Sequence, residues 1–233
     1  MIAEGFMLLA NGSTFEPFAR YNTTMKINEA YNLWSESYDA MQNRTRDLDT
    51  KITEDWLRGK HFETILEIGC GTGKNTTTYA AYADRVVSAD FSEGMLQLAR
   101  QKIDAKNVTF VQADITTDWT FTDLKANLIT CNLVLEHIQD LSHICRQVYD
   151  KLQPGGLFFL SELHPFKQCI GGQANFEYSN ETIMVAAYVH HISEYFSAAT
   201  EAGLHCIELF EHYVDEAEPT VPRIINMVFE KQV

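Results

Sequence analysis

Leu66-Glu67-Ile68-Gly69-Cys70-Gly71-Thr72-Gly73, with an aspartate following at position 90, is the stretch that decides the fold. An apolar run, Ile65 to Ile68, stops at three alternating glycines, and a helix-compatible stretch, Lys74 to Tyr82, comes next. A turn without side chains at a strand-to-helix switch lets a ligand lie close to the backbone. Asp90 stands 21 positions after Gly69, where a ribose hydroxyl pair would need an acceptor.

The glycine spacing narrows the ligand. A dinucleotide fingerprint requires a third glycine at position 74, which is Lys74 here. A phosphate-binding loop would need glycine at 68 and Ser or Thr at 75, where the chain has Ile68 and Asn75. Taken alone, the stretch is also compatible with a glycine-rich turn in an ordinary α/β protein. The acidic residue Glu67 followed by alternating glycines resembles motif I of the class I S-adenosylmethionine (SAM)-dependent methyltransferases.

Composition sets outer bounds. The 233 residues suffice for one sizeable α/β domain, and 45% hydrophobic with 12% aromatic residues implies a packed core. A net charge of −14 argues against gripping nucleic acid or an anionic membrane by bulk electrostatics. Five scattered cysteines without a C-x-x-C pair fit a reducing cytoplasm. Met1 to Ala10 is apolar but short, contains Glu4 and lacks a basic flank, so no signal peptide is expected. No apolar run approaches membrane-spanning length.

Along the chain, residues 1 to about 24 read as a loose arm, and 26–58 as helix. Tyr31, Trp34, Tyr38 and Met41 share one face, and the polar Asn43 to Asp49 is a candidate break. Strands are expected at 64–68, 85–89, 108–112, 127–132 and 156–162, and helices at 74–83, 92–105 and 140–152. Ser92 is a candidate N-cap, and Pro154-Gly155-Gly156 reads as a turn feeding the fifth strand. This rhythm implies a parallel sheet with helices on both faces. After a long segment, 163–190, a helix is expected from Ser193 to Gly203, then an antiparallel strand pair near 205–213 and 223–231.

The whole order over about residues 60–233 is similar to the class I methyltransferase fold. The resemblance implies a seven-stranded, mostly parallel sheet with its last strand antiparallel, N-terminal helices, and an insert between strands five and six. On this reading 1–58 is an arm and helical cap, 59–233 the SAM-binding domain, and 163–192 a substrate cap.

The resemblance also implies site residues. Asp90 matches the ribose-binding acid, with Phe91 and Met95 beside the adenine. Asp114, after Ala113, matches the acid that accepts from the adenine amino group, and Ile115 lies against the purine. Gly69, Cys70, Gly71 and Gly73 form the turn after Glu67, and Cys131-Asn132-Leu133 lines the methionine part. Singly, Asp90 or Asp114 reads better as a strand-end carboxylate capping the next helix; together, at the family's spacing and with the glycine turn, they favour the site. Tyr31 and Tyr38 resemble tyrosines that relatives place over the SAM carboxylate; a plain packing stripe is the alternative. Asn127 departs from the family, which commonly has aspartate there.

SAM as cosubstrate, with S-adenosylhomocysteine (SAH) as product, requires little covalent chemistry from the protein. In-line positioning can supply up to about 7–11 kcal/mol. A base helps when the acceptor loses a proton. His164 is the preferred base, with Glu162 orienting it or a substrate amine, while His137 fits a SAM-lining role. His190-His191 lies beyond the cap. The chain has no Pro-Pro, Pro-Cys or Asp-Asn, which leaves a small-molecule acceptor rather than DNA, and no metal-ligand spacing. Phe166, Phe176, Tyr178 and Tyr188 in the cap suit a partly aromatic acceptor. A cytoplasmic monomer or homodimer is expected, transferring methyl to O, N or C. The alternatives are a non-catalytic SAM-binding regulator and an NAD-dependent oxidoreductase.

Overall fold

The computed structural model describes residues 27–40, 43–179, 181–214 and 221–233. The expected N-terminal arm and Met41 lie outside the described residues, as does most of the Asp215–Pro222 connection. The helices are α1 (Ile27–Tyr38), α2 (Arg44–Leu57), α3 (Lys74–Ala81), α4 (Glu93–Lys102), α5 (Leu141–Lys151), α6 (Pro165–Cys169) and α7 (Ile192–Glu201). The strands are β1 (Phe62–Ile68), β2 (Ala83–Asp90), β3 (Val108–Gln112), β4 (Ala126–Asn132), β5 (Leu152–Leu163), β6 (Asn175–Tyr178), β7 (Glu181–Met184), β8 (Leu204–His212) and β9 (Ile224–Lys231).

A seven-stranded sheet runs β3-β2-β1-β4-β5-β9-β8. The β1, β2, β3, β4 and β5 pairings are parallel, and β9 is antiparallel to both β5 and β8. The expected architecture is therefore present, last strand included. Alternation along the central strands feeds two layers. Leu66, Ile129, Phe158 and Met227 face α5 and α7 in one core, while Ile65, Leu128, Phe159 and Val228 face α2 and α3 in the other. Burying each such side chain contributes about 1.5–3 kcal/mol.

Three local expectations need correction. The helical stretch 26–58 is in two pieces, as the polar residues suggested, but the break lies between Tyr38 and Arg44, and the polar residues after Asn43 form the start of α2. Asn43 is the N-cap, its Oδ1 accepting from the Thr45 and Arg46 amides. The Pro154–Gly156 stretch falls within the β5 range, at a register shift against β4 between Ala126 and Leu128. Helix α7 begins one residue earlier than Ser193, with His191 as N-cap, whose amide donates to Glu194 Oε2.

The insert between β5 and β8, the fifth and sixth strands of the main sheet in chain order, holds α6 and a β6–β7 hairpin that the sequence did not reveal. The hairpin joins α1 in a small core of its own. Trp34 stacks on Phe176 at 5.1 Å between ring centroids, with Ala30 and Val185 buried beside them. Asn127 Oδ1 accepts from the Thr64 amide, so the residue that departs from the family pattern ties β4 to β1.

Candidate active site

β1 lies between β2 and β4, so the chain turns to opposite sides of β1 after successive units. The carboxyl ends of strands at such a switch leave a crevice. Here the crevice is a cavity of about 380 Å³.

Its floor is the glycine turn. Gly69 has φ +73, and the Gly69 and Cys70 amides both donate to Ala89 O, which ties the turn to β2. A Cβ on Gly69 would stand 2.2 Å from Val134 Cγ2, so the turn after β4 presses directly on this glycine. Gly71 has φ +52 and open space where its Cβ would be, which leaves its backbone accessible.

Two acids of this wall, Asp90 and Glu67, are buried, while Asp114 is exposed. Asp90 Oδ2 accepts from the Gly71 amide at 2.8 Å and Oδ1 from the Ser92 amide at 2.9 Å. Burial lifts its carboxyl to about 6, a rise tempered by these backbone donors. Ser92 Oγ accepts from the Met95 amide and so caps α4, and it donates to Asn32 Oδ1. Glu67 Oε2 accepts from Ser88 Oγ and Thr76 Oγ1, both at 2.6 Å, and burial pushes its carboxyl to about 7. Asp114 Oδ1 accepts from the Thr116 amide and hydroxyl. It caps a turn and lines the cavity at once.

The opposite wall comes from α1, α2 and the turn after β4. His137 Nδ1 lies 2.7 Å from Ala186 O, a carbonyl that can only accept, so Nδ1 carries the hydrogen. In the neutral ring Nε2 then accepts from the Tyr31 hydroxyl at 2.8 Å. Burial raises the Tyr31 phenol well above its usual range, with Tyr38 adding to it. Arg46 lies over the Tyr38 ring, 4.0 Å from its centroid. Asp49 Oδ1 accepts from Asn132 Nδ2 and Ser161 Oγ, and its Oδ2 from Asn75 Nδ2. That carboxylate fastens α2 to the ends of β4 and β5 and to α3.

Of the residues singled out from sequence, Tyr31, Tyr38, Glu67, Gly69, Cys70, Gly71, Asp90, Phe91, Ala113, Asp114, Ile115, Asn132, Leu133 and His137 all line this cavity. Gly73, Met95 and Cys131 do not; Met95 and Cys131 are each 1% exposed, packed behind the wall. His164 and Glu162 also stand outside the lining. His164 is buried as the N-cap of α6, with Nδ1 accepting from the Phe166 amide and Nε2 donating to Glu211. Phe166 and Tyr188 are largely exposed and likewise do not line the cavity. Arg46, Asp49 and Thr50 line it without having been singled out, since their polar stretch read as a helix break.

The lining suits a nucleoside-bearing ligand: open backbone at Gly71, a buried acceptor at Asp90, and the apolar side chains of Phe91 and Ile115. Among the described residues, no group of three His, Cys, Asp or Glu side chains is arranged to hold a metal ion. None of the described helices is long and apolar enough to cross a membrane.

A sheet of this order with its cavity at the switch point defines a Rossmann-like α/β protein. Residues 66–160 match the family model described as a methyltransferase domain. An uncharacterized methyltransferase of Emericella nidulans is 27% identical over 78% of this chain and 76% of its own length. A demethylmenaquinone methyltransferase of Symbiobacterium thermophilum is 27% identical over 67% of this chain and 66% of its own. Among solved structures, the complex of DhpI with SAH superposes with a TM-score of 0.70 at 21% identity, covering 88% of this chain and 95% of that one. Residues 66–160 thus carry a methyltransferase domain, and the chain has the fold of solved SAM-dependent methyltransferases.

Proposed function

We propose that this protein transfers a methyl group from SAM to an O, N or C atom of a small metabolite, without a metal, and that Tyr31 and His137 take up the acceptor's proton. The observation that carries this reading is the Tyr31–His137–Ala186 chain of hydrogen bonds in the wall of the cavity.

The residues that would hold SAM are Asp90 at the ribose, Asp114, Phe91 and Ile115 at the base, and the glycine turn with Leu133 along the methionine part. Bound there, SAM supplies a methyl group on a sulfonium, a leaving group that needs no protonation. The protein then has to orient an acceptor and remove its proton. The raised pKa of Tyr31 keeps the phenol protonated at neutral pH, so it acts as a carrier. Its oxygen receives the acceptor's proton while its own proton passes to His137 Nε2. The resulting imidazolium is held by Ala186 O, with Glu136 Oε1 3.7 Å from Nε2. His137 rather than His164 has this role because His164 spends both nitrogens on α6 and Glu211.

Positioned general bases contribute about 10²–10⁴-fold. Tyr31→Phe should therefore lower kcat about 100-fold while the SAH Kd stays within about threefold. The assay is transfer of labelled methyl from SAM to a panel of phenols, catechols and amines, beside calorimetry with SAM and SAH. Failure of the wild type to bind either adenosyl ligand at millimolar concentration would refute the site. Wild-type kcat in Tyr31→Phe would refute the relay.

A further inference from the structure

We infer that Glu162 is a positioning residue, whose carboxyl oxygen clamps the Leu133–Leu135 turn against the glycine turn and so sets the wall of the cofactor cavity. The inference rests on the cavity being the SAM site, and it goes beyond that reading by assigning what holds the wall in place.

The turn needs a clamp. Leu133, directly after β4, sits at φ +57, in the left-handed region that side chains with a Cβ rarely adopt. Strain of that kind persists only where the surroundings enforce it. The Leu133 amide donates to Ser161 O, which extends the β4–β5 ladder by one step. Beyond it the ladder ends, and the next two amides would be buried without a partner. Both turn to one atom: the Val134 amide donates to Glu162 Oε1 at 3.0 Å, and the Leu135 amide donates to the same oxygen at 2.8 Å. Glu162 is 0% exposed, so no solvent competes for that oxygen.

The consequences run in two directions from the clamped residues. Val134 presses on Gly69, where even a methyl group would overlap it. A shift of Val134 therefore reaches the glycine turn without an intermediary. Val134 O accepts from the His137 amide, so the same clamp sets the start of the short 3-10 turn that carries His137 to Tyr31. One oxygen behind the wall thus fixes both the ligand-facing backbone and the proton-accepting ring. Glu162 touches neither ligand nor acceptor in this arrangement and acts through the turn.

The chemistry of the carboxyl agrees. Burial raises it to about 8, with Glu136 and Asp49 adding repulsion and the two amides opposing the rise. At neutral pH it is mostly the neutral acid. Its second oxygen is buried and makes no hydrogen bond. Glutamine is then a close mimic of the working form, keeping a carbonyl oxygen for the two amides and no charge, whereas methionine keeps the volume and removes the acceptor.

The test uses the full chain. Glu162→Gln should keep the SAH Kd and kcat within about threefold of wild type, with Val134 and Leu135 amides equally slow in hydrogen exchange. Glu162→Met should weaken SAH at least tenfold and speed exchange of those two amides at least tenfold. Wild-type SAH affinity in Glu162→Met, or a Gln variant as impaired as Met, would each overturn the assignment. Should the Met variant not fold, the Gln variant decides: unchanged exchange at Val134 and Leu135 supports the clamp, and tenfold faster exchange overturns it. A wild type that fails to bind SAM or SAH sinks the site reading instead, so the two failures are distinguishable.

Discussion

Asp90 ties ligand affinity and fold stability to pH in opposite senses, and both slopes can be worked out. Its carboxyl is lifted from an ordinary 3.8 to about 6, chiefly by burial. The native state therefore binds the proton more tightly than the unfolded chain does. Stability falls as pH rises from about 4 towards about 6, then levels off. Between pH 8 and pH 5 the wild type should gain roughly 1.4 kcal/mol relative to Asp90→Asn, which has no proton to bind. For a chain of this size that is about 3–6 °C in Tm. Affinity runs the other way, because the ionised carboxylate is the form that can accept from two vicinal hydroxyls beyond the Gly71 and Ser92 amides. About one-eleventh of the groups remain ionised at pH 5, so SAM affinity should drop roughly tenfold from pH 7 to pH 5. Glu67, raised to about 7 chiefly by burial, titrates in both proteins, and Asp90→Asn also removes the smaller share of that rise due to the Asp90 charge. Calorimetry with SAM at pH 5, 6 and 7 and thermal unfolding from pH 5 to 8 measure the two slopes. Parallel affinity and stability curves for wild type and Asp90→Asn would refute the reasoning.

The two central glycines should separate packing from ligand contact. Gly69→Ala combines left-handed strain with the overlap at Val134 and should destabilise by about 2–5 kcal/mol in urea unfolding, with loss of SAH binding. Gly71→Ala meets open space, so its stability cost is only about 1–2 kcal/mol of backbone strain, yet SAH affinity should fall because the methyl group projects where the ligand approaches. Asp49→Ala leaves Asn75, Asn132 and Ser161 without their shared acceptor and should destabilise by about 2–4 kcal/mol in urea unfolding; a change under about 1 kcal/mol would show that α2 is held by packing alone.

Much of this molecule is written in residues that the backbone itself demands. Glycines at positive φ, the Ser92 cap and strand-end acids at 90 and 114 are local requirements, so they read directly from sequence. The β6–β7 hairpin escaped because its strands span only Asn175–Tyr178 and Glu181–Met184, and Ser179 takes the positive φ of 52 that a glycine would have advertised. Residues 43–49 escaped for another reason. Their polar side chains form the first turns of α2, and polarity in a helix ordinarily reports solvent. Here Asp49 is 3% exposed and turned towards strand ends that are themselves polar.

The choice between His137 and His164 shows where sequence reasoning ends. Both follow a strand of the parallel sheet, at its carboxyl end, and composition treats them alike. Tertiary contacts separate them. His164 faces β8, where Glu211 waits, and its other nitrogen closes the start of α6. His137 stands where α1 and the hairpin's trailing segment meet, with one partner from each, Tyr31 and Ala186. Those partners are 106 and 49 residues away in the chain, so no local pattern reports them. A ring whose two nitrogens are fixed by a carbonyl and a phenol has a defined tautomer, with its lone pair on the Tyr31 hydroxyl. On the proposed relay, the N-terminal helix does more than cover the site: by bringing Tyr31 to His137 it completes the group that would accept the proton.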